Sequence, residues 1–299
     1  MDLDKLESVI GQIRATAIDK IATPPTGFAD RIASIKKAFQ DFWQKEHLPQ
    51  AFRITEAIKK GIPTPVLTVC GRGTQEIRFT RYLAYYLDPQ KNHGLGDKLL
   101  KSVFSEEART AGLPKDWTDA CIVIPEFWLG HYQSKSGRKT GCFCDIGITG
   151  NDFVFVIEQK ILSSEGPASH TGLPQLRRYD RVIENNPAFK DKAIIKIYLT
   201  PSGGQRDDWN PVSHRQIVEG AYQCLNDINI SRAARENLRR LLIDLLLGPY
   251  TETEELISDI KEAAATLTGD LVGLQEVVKF RRLVENNRLL INLLTGGST

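Results

Sequence analysis

Residues 3 to 21 place Leu3, Leu6, Val9, Ile10, Ile13, Ala17 and Ile21 on one stripe with the period of an amphipathic helix. The run Thr23-Pro24-Pro25-Thr26-Gly27 breaks it, and a second helix is expected from Phe28 to about Glu46. The middle of the chain changes character. Residues 143 to 148 and 153 to 161 are short apolar runs rich in β-branched and aromatic side chains, which read as buried strands. Ala193 to Thr200 (AIIKIYLT) is a third such strand, ended by Pro201-Ser202-Gly203-Gly204. The helix expected around Gln175 lies between two of these strands, so it predicts a βαβ crossover with parallel pairing. Beyond it, Ser213 or His214 opens a helix reaching about Leu225, and helices are expected near 231–247, 252–267 and 270–294. No fixed-period repeat interrupts this order. The pattern predicts a mixed α/β core with helices at both ends.

The apolar segment 142–161 (CFCDIGITGNDFVFVIEQKI) carries Asp145, Glu158 and Lys160, with Asp152 beside its turn. Burying such charges costs several kcal/mol each unless they are paired or bind a metal. Gly150-Asn151 is a two-residue hairpin signal, which would pair Thr149 with Asp152 and set Asp145 across from Val156. Glu158 is then the diagonal neighbour of Asp145, roughly 7–8 Å away. Strand side chains alternate, so Glu158 and Lys160 share the face of Val156, and the register brings Asp145 to that face too.

Two carboxylates this close repel unless something positive lies between them. Hard oxygen donors favour Mg²⁺ or Mn²⁺, and Mg²⁺ takes only one or two carboxylates from a protein. A lysine two residues on can orient water or steady a phosphate, so the set suits phosphodiester hydrolysis. A structural Asp–Lys–Glu cluster at a strand end is the alternative reading.

Asp145 followed by Glu158-Gln159-Lys160 resembles the core motif of the PD-(D/E)xK nuclease superfamily. Upstream, residues 74 to 100 (TQEIRFTRYLAYYLDPQKNHGLGDKLL) resemble the opening helix of that fold, and the LAYYLDP…HGLG stretch resembles one uncharacterised bacterial branch. Downstream, Gln175 to Tyr179 matches the QxxxY helix of the exonuclease-like branches. One departure is Cys144, which stands where the family pattern has Pro. The resemblance implies a restriction-endonuclease-like α/β fold, a mixed central sheet flanked by helices. It implies that Asp145, Glu158 and the backbone carbonyl of Gln159 hold Mg²⁺, for which Mn²⁺ substitutes. Lys160 would position the attacking water or steady the phosphate, and Glu76 would reach the metal indirectly or hold a second ion. Gln175 and Tyr179, at i and i+4 on one helix face, would orient Lys160 or touch the DNA backbone.

Simpler roles stand beside these. Glu76 also fits a first-turn acid behind Thr74 as N-cap, and Tyr179 fits a packing aromatic. His93, in Asn-His-Gly beside a turn, fits either a phosphate contact or a brace for the Asp88-Pro89 loop, and the structural reading is preferred. Lys135, Arg138 and Lys139 are either a nucleic-acid contact or a solvated loop.

A chain of 299 residues with 41% hydrophobic content can bury one large core or two modest ones. A net charge of +2 and a pI near 8.2 place any nucleic-acid affinity in local clusters, with Arg177, Arg178 and Arg181 the best candidates. Five cysteines without CxxC pairs, and a charged N-terminus unlike a signal peptide, point to a reduced cytoplasmic protein. No apolar run is long enough to span a bilayer. The expected organisation is a helical arm over 1–69, a nuclease core over 70–212 and a C-terminal helical region over 213–299 packing on the core. The expected activity is Mg²⁺-dependent hydrolysis of DNA, with RNA as a remote substrate and a homodimer through the terminal helices as a possible assembly. The alternative is a nuclease-fold binding or interaction module with activity absent or triggered by a partner. Phage defence, mobile-element biology and repair are all compatible settings.

Overall fold

The computed structural model describes residues 27–70, 76–134, 137, 139–161, 173–204, 206, 208–247, 253–268 and 272–296. The expected helix at 3–21, together with Thr74, Lys135 and Arg138, lies outside the described residues. Contacts divide the chain into two compact units, one of Met1–Ile62 with Glu254–Gly297 and one of Pro63–Thr253. Each is described by itself.

The first unit is helical. α1 (Phe28–Phe42) runs through a wide π turn at Trp43–His47 into α2 (Leu48–Lys59), so the helix expected to stop near Glu46 continues. Pro49, in the first turn of α2, has no N–H to return to the preceding turn, so the wide π turn stands where the hydrogen-bond ladder is interrupted. α9 (Thr253–Leu267), α10 (Leu274–Asn286) and α11 (Arg288–Thr295) complete the unit. The single helix expected over 270–294 is thus two, broken at Asn287. Ala51, Ile54, Val277, Phe280, Leu290 and Ile291 are buried in it.

The second unit is built on five strands in the order β1 (Ile122–Gln133), β2 (Lys139–Thr149), β3 (Phe153–Gln159), β4 (Ala193–Thr200) and β5 (Asn210–Ser213). The first three are antiparallel, and β3–β4 and β4–β5 are parallel. α3 (Val66–Val69), α4 (Glu76–Leu87) and α5 (Lys98–Thr110) precede the sheet. α6 (Gln175–Asn185) makes the crossover from β3 to β4, as the parallel pairing requires. α7 (His214–Leu225) and α8 (Arg232–Leu246) follow. α7 starts where the sequence places it because Ser213 and Gln216 form a reciprocal capping box.

β3 is buried along its whole length, because helices cover both sheet faces. On one face Cys142, Cys144, Val154, Val156 and Tyr198 pack with Leu176, Tyr179, Val182 and Ile183 of α6. On the other, Phe155 stacks on Trp117 at 5.2 Å and meets Phe104 at 5.8 Å. The result is an α/β fold with a mixed five-stranded sheet flanked by helices, the restriction-endonuclease-like architecture.

Two local findings differ from the expected hairpin. Thr149 pairs with Val154 rather than Asp152, and Gly150 N–H donates to the carbonyl of Phe153 at 3.1 Å, so the turn is two residues wider. A slip of two preserves every side-chain face, whereas a slip of one would have reversed them. The ladder ends at Ile146–Ile157, and beyond it the strands part, with Cys144 packed on the same side as Val156. β1, absent from the expected elements, contains Pro125 and Gly130 and is bulged between Trp128 and Gly130.

Candidate active site

The site forms where β2 and β3 part. The carboxylate of Asp145 takes the place of a ladder partner: its Oδ2 accepts from Gln159 N–H at 2.7 Å. Glu158 is 1% exposed, and its Oε1 accepts from Lys160 Nζ and from Gln175 Nε2, each at 2.6 Å. Gln175 also donates from Nε2 to the hydroxyl of Tyr179 at 2.7 Å, and that hydroxyl donates to the carbonyl of Phe143. The i, i+4 spacing on α6 therefore builds a relay from β2 to Glu158. Gln175 reaches Glu158, where Lys160 was one expected target, so the lysine and the glutamine converge on the same oxygen.

Glu76 enters from the start of α4. Its Oε1 accepts from Ile161 N–H at 3.2 Å and its Oε2 lies 3.7 Å from Lys160 Nζ. The acid stands in the first turn of its helix, as expected, and its side chain reaches the end of β3. Glu76, Asp145, Glu158, Lys160, Gln175 and Tyr179 thus meet at one place.

Electrostatics at this place follow from an excess of acid over base. Burial raises Asp145 above the usual carboxylate range, only partly opposed by Gln159 N–H and Lys160. Burial, and then the Asp145 charge, push Glu158 up to about 8 against the pull of Lys160. Lys160 would lose its proton more easily through burial alone, but Glu158, Asp145 and Glu76 hold it up at about 12. Burial first and the Asp145 charge second favour the protonated form of Glu158, and the one lysine among three acids opposes this only in part.

That pair is the fit test for a metal. A carboxyl pushed up by burial and by a neighbouring carboxylate is one that a divalent cation would ionise. The donors are hard oxygens on two carboxylates, the number Mg²⁺ ordinarily takes from protein. Among the described residues no group of three or more His, Cys, Asp or Glu side chains is placed as a metal cage. The residues present fit a partly hydrated hard cation.

The remaining expected residues scatter. Lys139, Arg177 and Arg181 are exposed, and Arg177 lies 4.0 Å from Asp208. Arg178 is half-buried with its Nε unpartnered, and its charge bears on Cys142 under the helix rather than on solvent. The basic cluster expected on α6 is therefore divided between two sides of the helix. His93 is buried and fully engaged: Leu95 N–H donates to its Nδ1 at 3.0 Å and its Nε2 bonds the Asp88 carbonyl at 2.8 Å. This is the structural role read from the sequence. The five cysteines are free thiols.

Some contributors went unread in the sequence. The Phe143 carbonyl carries no side-chain signal. Asp180, next to Tyr179, binds Lys196 of β4 at 3.1 Å and Trp209 Nε1 at 3.2 Å, which fixes the register of α6 on the sheet. Glu126 is the one described non-glycine residue with positive φ, at 52°, and it pairs with Arg81 of α4.

Residues 65–245, more than half of the chain, match the family model of the PD-(D/E)XK nuclease superfamily. No curated protein and no solved structure matches the chain.

Proposed function

Because the chain belongs to the PD-(D/E)XK nuclease superfamily, we propose that it is a divalent-metal-dependent nuclease that hydrolyses phosphodiester bonds of DNA. The observation that carries the reading is the half-buried carboxyl of Asp145 beside the buried carboxyl of Glu158, with Lys160 Nζ 2.6 Å from the latter. An inert core would have replaced such a pair by apolar side chains at little cost or some gain in stability.

Asp145 and Glu158, with the backbone carbonyl of Gln159, would hold Mg²⁺ or Mn²⁺. When bound, such an ion supplies Lewis acidity that acidifies water and neutralises charge at the phosphate. The chain's own groups do the rest. Lys160 Nζ keeps protons free for a phosphate oxygen or the attacking water, and Glu76 holds it from the α4 side. Gln175 fixes the rotamer of Glu158, and Tyr179 fixes Gln175 against the Phe143 carbonyl. Arg177, Arg181 and Lys139 are the exposed cations offered for the nucleic-acid backbone.

Titration of the full-length protein with Mg²⁺ and Mn²⁺ in the presence of labelled DNA tests this. A metal-dependent product ladder is expected. Binding without cleavage across both metals would make the chain a binding module instead.

Gln175→Ala removes one of the two donors on Glu158 while leaving the ligands in place. Outer-shell partners of this kind are worth roughly 10–100-fold in metal affinity or activity. Cleavage is expected to fall by that range in steady-state assays, with excess metal restoring part of it, and the thermal midpoint should barely move. An unchanged rate at limiting Mg²⁺ would remove Gln175 from the machinery.

A further inference from the structure

Beside the carboxylate site lies an aromatic surface that the hydrolytic chemistry does not use. Trp128 of β1 and Phe143 of β2 are cross-strand partners, yet they are 41% and 52% exposed. Their rings meet at 4.7 Å, and His131 closes edge-on against Trp128 at 4.9 Å. Gly141 gives the indole room. A Cβ there would come within 2.9 Å of the six-membered ring of Trp128, so the ring takes the space where a side chain would stand. Cys142 and Cys144 turn under α6, so Gly141 and Phe143 face the opposite side of the sheet. Rings braced in this way are pre-formed, and a bound partner need not order them.

Position gives the surface its occupant. Phe143 is two residues before Asp145, a separation of about 7 Å along a strand. The same residue's carbonyl anchors Tyr179, and through Gln175 it is tied to Glu158. Lys139, exposed on the same hairpin, adds a cation for the backbone of whatever stacks there. A base inside a duplex is covered on both faces by its neighbours, whereas an unpaired base can offer a face to an aromatic ring. We propose that Trp128 and Phe143 form a stacking platform for an unpaired nucleobase beside the scissile phosphate, so that the substrate is a single-stranded or end-frayed polynucleotide rather than intact duplex.

This inference rests on the nuclease reading for the word substrate, but its test does not. Binding of a labelled single-stranded oligonucleotide and of a blunt duplex is measured with Ca²⁺, using the full-length protein, Trp128→Ala and Trp128→Phe. Wild type is expected to prefer the single strand. Loss of one base stack should weaken single-strand binding by roughly tenfold in Trp128→Ala. Duplex binding should change less than twofold, and Trp128→Phe should recover most of the loss. Phe143→Leu, which keeps the backbone carbonyl, gives the same selective loss if Trp128→Ala proves unstable. Single-strand binding equal to wild type in these variants, or equal loss on both ligands, overturns the platform. Selective loss in a protein that cleaves nothing in Mg²⁺ or Mn²⁺ would sustain the platform and sink the nuclease reading. Cleavage without selective loss would do the reverse.

Discussion

Glu158→Gln is expected to abolish cleavage, a fall of roughly a thousandfold or more, while leaving the protein folded and at least as stable as wild type. The amide keeps the shape of the side chain, and its Oε1 still accepts from Lys160 and Gln175, whose donors meet on one oxygen of Glu158. What it lacks is charge to hold a cation. The stability half of the expectation follows from Glu158 standing at about 8 in the folded protein, with burial as the main cause and Asp145 as the second. Its ordinary value is near 4.5, so between the two the unfolded chain has lost a proton that the folded chain keeps. Stability conferred by this group is therefore full below about pH 4.5 and is lost as pH rises toward 8. Over that window the change is on the order of a few kcal/mol. Glutamine mimics the protonated form at every pH and should flatten this slope. Thermal midpoints of both proteins in chelator, from pH 5 to 8.5, check it; a parallel pair of curves would contradict the assignment. Asp145→Asn should lose cleavage to the same degree, since its Oδ1 can still accept from Gln159 N–H but the second negative charge is gone.

The second expected result is that metal binding expels a proton. Metal ligands must be ionised, and Glu158 is protonated below about pH 8 in the metal-free protein. Binding of Mg²⁺ should release about one proton at pH 6.5 and almost none at pH 9. The apparent affinity should then rise roughly tenfold per pH unit up to about 8 and level off. Calorimetric titration in buffers of different ionisation enthalpy counts the protons directly. A pH-independent affinity would mean that the ion binds elsewhere.

How much of this was legible in the sequence depends on what each residue was read from. β3, β4 and α7 were legible because β-branched runs and a Ser–Gln cap are local signals. The charged triplet was legible because charge in an apolar strand has few cheap explanations. The hairpin register was not, since Gly150-Asn151 has the letters of a two-residue turn while the chain closes a wider loop at Thr149–Val154. That the slip is even is why the site survived the error. β1 hid behind Pro125 and Gly130, which break the alternation a strand is recognised by. Glu76, far from the hairpin in sequence, was reachable only through the family resemblance. Arg178 looked like surface charge because helical spacing alone does not say which side of α6 meets the sheet. Unit membership was also beyond the periodicity: nothing local says that residues before 62 and after 254 contact each other.

Anomalous scattering from a crystal soaked in Mn²⁺ reaches the claim that Asp145 and Glu158 share a divalent cation. A single strong peak bridging the two carboxylates, with Lys160 drawn off Glu158 and absent in a Glu158→Gln crystal, is the expected result. No peak there at saturating Mn²⁺, or a peak that persists in Glu158→Gln, would contradict it.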